Sequence, residues 1–445
     1  MYQFPKDLYT DVRIETVSET AITLENFELK QNKTKTDTGA MIRIFDGSRW
    51  YYSATTNVDN LQQEIEELAR MATPNKEIMQ HPIVMKMEVN QATCLTYQDN
   101  DLSKIDPIRK FELTESYIPV IKEFEEIQMS KLYYMDKHTT KHILSSKGTD
   151  VLFDTQNCCI AIRYTSQING KPCKGSENIY YMDFEDLYGK QDVFRETFKK
   201  DMEYYRNAVP VVPGSYTCIL SPMTTGVFAH ESFGHKSESD FMVGDETMKR
   251  EWAIGKCVGA SLLNIIDTGL LPGSGYVPYD DEGCRAKENY IIKDGILTGR
   301  LHSAMTAAAL EEEPTGNARA MNFEFEPIVR MTATYIGAGK QTKEELFAGV
   351  KEGVFIDSLY HGSGMTTFTI APQRAYMIRD GKIAEPVEIS VITGNVMSTL
   401  NEIDGVSDRL ELFSFALGGC GKMEQYPLSV SFGGPYIRVN GINVQ

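Results

Sequence analysis

Period-two alternation of apolar and polar positions dominates the start of the chain. It predicts a strand at residues 11–17, where Val12, Ile14 and Val17 punctuate polar neighbours, and a second near 21–24. The polar run 30–37 reads as a turn or loop. Residues 39–45 and 48–54 form the next strand pair, joined by a hairpin turn at Asp46-Gly47. The period then lengthens. Leu61, Ile65, Leu68 and Met71 share one face of a helix over 61–72, introduced by the capping run Asn57 to Asn60. Residues 75–105 are polar and show no period, a loose connection or sub-boundary. Residues 108–129 read as helical with a break at Pro119, residues 131–145 and 148–166 as an antiparallel pair, and residues 193–205 as an amphipathic helix.

Pro210 and Pro213-Gly214 mark the clearest boundary, dividing the chain into 1–209 and 210–445. A strand over 215–221 opens the second part, and Pro222 ends it. Beyond residue 254 the pattern is short apolar runs with Asp-Gly turns at Asp294-Gly295 and Asp380-Gly381, and short helical pieces at 303–310, 343–350 and 395–403. The expected class is α+β: a mixed N-terminal domain followed by a large, mostly antiparallel C-terminal domain.

Composition narrows the function. The 445 residues carry a net charge of −17, and the basic runs are as short as Lys199-Lys200, which argues against nucleic-acid binding. The eight cysteines are scattered without a CxxC pair, as for reduced thiols in a cytoplasmic protein. Neither a signal-peptide pattern at the start nor an 18-residue apolar run is present, so no membrane role is expected. Gly273-Ser274-Gly275-Tyr276 lacks the Gly-Lys-Ser/Thr ending of a phosphate loop.

The candidate chemistry lies at residues 227–238. Of seven histidines, two fall here, His230 and His235, with Glu231 directly after the first. Two imidazoles and a carboxylate are the makings of a hydrolytic zinc site. The spacing is five, not the four of the common zinc-protease helix. At about 100° per residue the two rings would stand roughly 140° apart on a regular helix, too far to share an ion. The helix must therefore hold a π-bulge or end between them, and Gly234 is the place where either distortion is cheap. A third ligand has to come from elsewhere: Cys420, His302, His361, Glu238 and Asp240 are the candidates. Cys420 sits among glycines, with Lys422 nearby to favour its thiolate. Tyr360, His361, His302 and Asn317 are candidate donors to an oxyanion. The acidic run Asp280-Asp281-Glu282 reads as a solvated loop or as support for a metal histidine.

His-Glu-x-x-x-His at 230–235, Gly-Cys-Gly-Lys at 419–422, the stretches 277–283 and 316–319, and residues 39–54 together resemble the TldD/PmbA family, once called modulators of DNA gyrase. The resemblance runs from about residue 11 to the end. It implies a TldD-type metalloprotease, because PmbA-type (TldE) members lack the histidine motif. It maps Zn2+ ligands onto His230, His235 and Cys420 and the catalytic carboxylate onto Glu231. It further implies cleavage of unfolded or extended peptides inside a dimeric chamber, as a homodimer or with a PmbA/TldE-type partner. Two departures are visible: the helix that usually precedes the first strand is missing or very short, and Ala320 stands where relatives tend to carry an arginine. Two other readings remain, a non-catalytic modulator and a zinc amidohydrolase of small amides.

Overall fold

The computed structural model describes residues 2–364, 366–414 and 417–445. Its first sheet holds β1 (Tyr9–Glu25), β2 (Glu28–Phe45), β3 (Trp50–Thr55), β4 (Gln91–Cys94), β5 (Ile127–Ser145), β6 (Asp150–Ile168) and β7 (Lys171–Tyr181). The order is β3-β2-β1-β5-β6, with β4 and β7 both on the outer side of β6. One face packs on helices Pro107–Glu115, Ile118–Lys122 and Gln191–Asn207, burying Ile160, Ile162, Tyr164, Phe194 and Phe198 in a common core.

Two expectations change here. The polar run 30–37 is strand, not loop: β1 and β2 pair from Tyr9↔Phe45 to Glu25↔Glu28, with one bulge between Thr23 and Leu24. The β2 half of this arm is exposed, so apolar alternation is absent from it, while Ile22 and Leu24 of β1 turn into the core. Cross-strand hydroxyl pairs line it instead, Thr16 with Thr38 at 3.0 Å and Ser18 with Thr36 at 2.9 Å. Its turn has positive φ at Asn26 and Phe27, a tight turn without the glycine that would have announced it. Residues 108–129 break into two helices around Ser116-Tyr117, and the chain is already strand from Ile127. Residues 75–105 hold short helical turns and β4 rather than an unstructured link.

The C-terminal part is built on two sheets. In one, strands Glu352–Gly364, Gly214–Leu220, Ile437–Val444, Ile392–Asn395 and Thr367–Arg379 pair in that order, and the last pairs back onto the first, closing a barrel. The other places Ser431–Gly434 between Ala333–Ile336 and Glu411–Ser414. The Asp-Gly turns occur as expected, with positive φ at Asp294, Gly295, Asp380 and Gly381. The fold is α+β, with helices a minority beside largely antiparallel sheets.

The acidic run 280–282 joins the two parts. It is buried rather than solvated, and among the described residues none of its hydrogen bonds or ion pairs goes to His230, His235 or Cys420. Asp281 lies 2.6 Å from Lys141 and 3.7 Å from Arg13, and Glu282 lies 3.1 Å from Arg43, all three cations being on the first sheet. Asp280 accepts the backbone N–H groups of Glu282, Cys284 and Ala318. Burial alone would raise the Asp281 pKa, but Lys141 and Arg13 outweigh it and hold the carboxyl at about 2. Helix Gln191–Asn207 is tied to the barrel in the same way: Asp201 pairs with Arg374, which also reaches Asp357 at 2.7 Å.

Candidate metal centre

Strand Gly214–Leu220 feeds directly into the helix Pro222–Ala229. Ser221 caps it, accepting from Thr224 N–H, and Pro222 takes the first helical position, where no N–H is needed. The helix carries no charge and is buried apart from half-buried Met223; the hydroxyls of Thr224 and Thr225 are met within the turn that caps it, at Ser221 and the Leu220 carbonyl. Gly226 lets it lie against Gly433, and Gly362 leaves room for Val227. At His230 the α-helix gives way to a π-helical turn, His230–Gly234, followed by a 3-10 turn, His235–Ser237. Five residues per step bring the rings together: the His230 and His235 centroids are 5.1 Å apart.

The expected reason for Gly234 does not hold. Its backbone is ordinary right-handed helix (φ −54°, ψ −59°). What requires glycine is space, because a Cβ there would fall on the sulfur of fully buried Met331.

Cys420 arrives from the other end of the chain, on strand Cys420–Lys422, with its carbonyl held by Arg330 at 2.7 Å. One ligand atom from each of His230, His235 and Cys420 lies within 4.8 Å of the others, and the Cys420 sulfur is 3.4 Å from His235 Nε2. His230 Nδ1 is buried without a hydrogen-bond partner. Burial pushes the Cys420 thiol up, but the charges of His230 and His235 and hydrogen bonds from both rings bring it down to about 5. Burial disfavours a charged His235, yet hydrogen bonds to Cys420 and Glu238 raise it to about 10. Two imidazoles, a thiolate and an open cavity beside them make a donor set suited to zinc.

The other candidates fall into distinct places. Glu238 is fully buried and turned to the far side of His235, 3.0 Å from Nδ1, where it orients the ring. Lys422 does not face the thiol; it lies 3.2 Å from Glu238 and 2.7 Å from Asp240, with its ammonium over Phe241. Asp240 is thus occupied by Lys422. His302 is buried among Ser239, Thr306 and Glu312, and Asn317 donates to Asp267 and the Arg330 carbonyl; neither lines the cavity. Tyr360 and His361 do line it, with His230, Glu231, His235 and Cys420. The Tyr360 hydroxyl is engaged by Tyr205 at 2.7 Å and the Lys174 carbonyl at 3.2 Å.

The cavity has about 520 Å³ of solvent-accessible space, and the first sheet supplies part of its wall. Ser176, Glu177 and Asn178 of β7 and Ala161 and Arg163 of β6 face it. None of these stood out in the sequence, where they are ordinary positions of alternating strands. The Lys174 carbonyl points away from β6, toward Tyr205 and Tyr360. Alternation of the antiparallel ladder then directs the N–H and C=O of Ser176 to the same free edge. Among the described residues no strand pairs on this edge of β7, and the Ser176 groups face the cavity between the Lys174 carbonyl, bonded to Tyr205 and Tyr360, and the Asn178 N–H, bonded to Glu177.

Comparison with known proteins agrees with this architecture. A model of the PmbA/TldA metallopeptidase C-terminal domain matches residues 213–445, and one of PmbA/TldA metallopeptidase domain 1 matches residues 10–73. The solved structure described as a modulator of a DNA gyrase from Thermotoga maritima superposes with a TM-score of 0.79 at 19% identity, covering 98% of this chain and 96% of that one. TldE from Thermococcus kodakarensis gives 0.76 at 15% identity, covering 98% and 96%. These neighbours define the class by fold. Sequence then gives the family. A metalloprotease of Synechocystis sp. is 31% identical over 100% of this chain and 96% of its own length, and the zinc metalloprotease TldD homolog of Saccharolobus solfataricus is 29% identical over 98% and 96%. The chain belongs to the TldD/PmbA family of metalloproteases.

Proposed function

We propose that this protein is a zinc-dependent peptidase of the TldD type, with His230, His235 and Cys420 as metal ligands and Glu231 as general base. The observation that carries the reading is the convergence of the three ligand atoms within 4.8 Å in a cavity that Glu231 also lines. Zinc bound there would supply Lewis acidity toward a peptide carbonyl and its attacking water. Glu231 takes the proton from that water and returns it to the leaving amine. Glu238 holds His235 in one orientation throughout. Of the four oxyanion donors considered, we assign the role to His361: Tyr360 is already engaged, while His302 and Asn317 lie outside the cavity. Gly362, next to His361, packs near the Glu231 side chain.

The substrate is an extended or unfolded peptide. The free edge of β7 favours it, since an added strand pairs through its backbone and needs little sequence in common with the next substrate. A small amide would not use that edge. A cytoplasmic location suits the eight free cysteines, and no helix among the described residues is long and apolar enough to cross a membrane. The resemblance of fold to TldE suits a dimer, either of two copies or with a TldE-type partner. Metal analysis of the purified protein, with cleavage of an unstructured protein by the native chain and by Glu231→Gln, tests the assignment. The expected result is about one zinc per chain in both and cleavage only in the native protein. Undiminished cleavage by Glu231→Gln would refute it.

A further inference from the structure

Arg163 is the cation of the cavity wall with no assigned work. Arg163 is exposed and lines the cavity, and among the described residues it has no hydrogen-bond or ion-pair partner. The other arginine of the wall, Arg374, is held by Asp201 and Asp357. The carboxylates close by are also taken. Glu25 sits 3.5 Å from Lys131, the residue directly opposite Arg163 on β5. Glu177 accepts from the Thr197 hydroxyl and the Asn178 N–H.

The register says what this group can reach. Arg163 stands opposite Ser176 on β7, and residues opposite one another project from the same face. Ser176 is small and presents its backbone to the free edge. A peptide strand added there would place its residue paired with Ser176 on Arg163's face, two strands away. At about 4.8 Å per strand that is about 10 Å between backbones, which an arginine and a glutamate side chain bridge over a serine. Ala161 and Asn178 are the next pair on this face, and both also line the cavity.

We infer that Arg163 is a specificity residue that binds a carboxylate of the peptide substrate, in the residue that pairs with Ser176. The inference rests on the peptidase reading and on strand addition at β7. The chemistry is a charge-assisted, two-pronged hydrogen bond, and its source is an acidic side chain or the peptide's own C-terminus.

The test uses unstructured fluorescent peptides identical but for one central residue, Glu, Gln or Lys, each with a free or an amidated C-terminus. Cleavage by the zinc-loaded protein is compared with that by Arg163→Ala, Arg163→Lys and Arg163→Glu. The expected Glu-over-Gln preference in kcat/KM is about tenfold in the native protein. It falls to about one in Arg163→Ala, survives in part in Arg163→Lys, and turns toward the Lys peptide in Arg163→Glu. A preference that disappears on amidation instead, and only when Arg163 is present, assigns the carboxylate to the chain end. A ratio that stays the same in all four proteins overturns the inference. Anisotropy of the same peptides on Glu231→Gln protein separates the two readings. Arg163-dependent binding without cleavage by the native protein would sink the peptidase reading and leave this one standing; binding blind to both Arg163 and carboxylate would sink this one.

Discussion

Replacing Gly234 by alanine separates two reasons for a glycine in the site turn. If glycine were there to permit an unusual backbone, alanine would be strained; but φ −54° and ψ −59° suit any residue. On backbone grounds alone, alanine should stabilise by about 0.5–1 kcal/mol, because the unfolded chain has less freedom to lose. Packing predicts the opposite. The new methyl would land on the Met331 sulfur and come within 3.0 Å of its Cε and 3.3 Å of its Cγ. Met331 is fully buried, so the thioether has no solvent to swing into. Overpacking of this kind costs about 1–3 kcal/mol. The net expectation is a loss of about 1 kcal/mol, the difference between the midpoints of those two ranges.

The displacement should also move the ring beside it. Gly234 directly precedes His235, so strain relieved by shifting the turn pulls His235 from Cys420, and zinc affinity falls with stability. Urea denaturation of the metal-free protein measures the first effect and competition with a chromogenic chelator the second. Met331→Ala supplies the control. Alone it should cost about 2–5 kcal/mol as a buried large-to-small change. Combined with Gly234→Ala the cost should be smaller than the sum, because each change makes room for the other. Gly234→Ala as stable as the native chain, or additive with Met331→Ala, would refute the packing argument.

Other outcomes follow from the same geometry. Glu238→Gln keeps the shape beside His235 but removes the charge, and should weaken zinc binding about 10–100-fold in a chelator competition without unfolding the chain. Asp281→Asn tests the junction between the two parts. The Asp281 carboxyl is held at about 2 against an ordinary 3.8, so its charge stabilises the fold above about pH 4, and that contribution disappears as pH falls from 4 to 2. It amounts to about 2 kcal/mol. Urea midpoints across that range should fall more steeply in the native protein than in Asp281→Asn. At pH 7 the variant should lose about 3–5 kcal/mol, since Arg13 and Lys141 are left facing a neutral amide. His361→Gln should lower kcat about 10²–10³-fold with little change in KM if it donates to the oxyanion, whereas Tyr360→Phe should leave kcat within a few-fold; equal losses in steady-state kinetics would count against this division.

How far the molecule could be read from its sequence depends on whether the needed information was local. His230, Glu231 and His235 lie within one turn, so the conflict between five-residue spacing and a shared ion was visible at once, and a π-helical turn resolves it. Cys420 was one candidate among several on spacing, and only family resemblance singled it out, because 185 residues separate it from His235. Polar groups were where local reading failed. Asp281 and Glu282 are charged and adjacent, the mark of a solvated loop, yet both are buried because Arg13, Arg43 and Lys141 on a distant sheet neutralise them. His302 and Asn317 looked available for chemistry because a buried hydrogen-bonded side chain and a free one have the same letter. Arg163 is the converse. Alternation with Ile162 and Tyr164 says that it leaves the core, but not that its face of the sheet forms the wall of a cavity built mostly by another part of the chain. Strand period assigns a side chain to a face; what that face meets is decided by pairing over long separations. A residue that recognises substrate from across such a junction therefore leaves no local signature, and its missing partner becomes visible only once the partners of its neighbours are known.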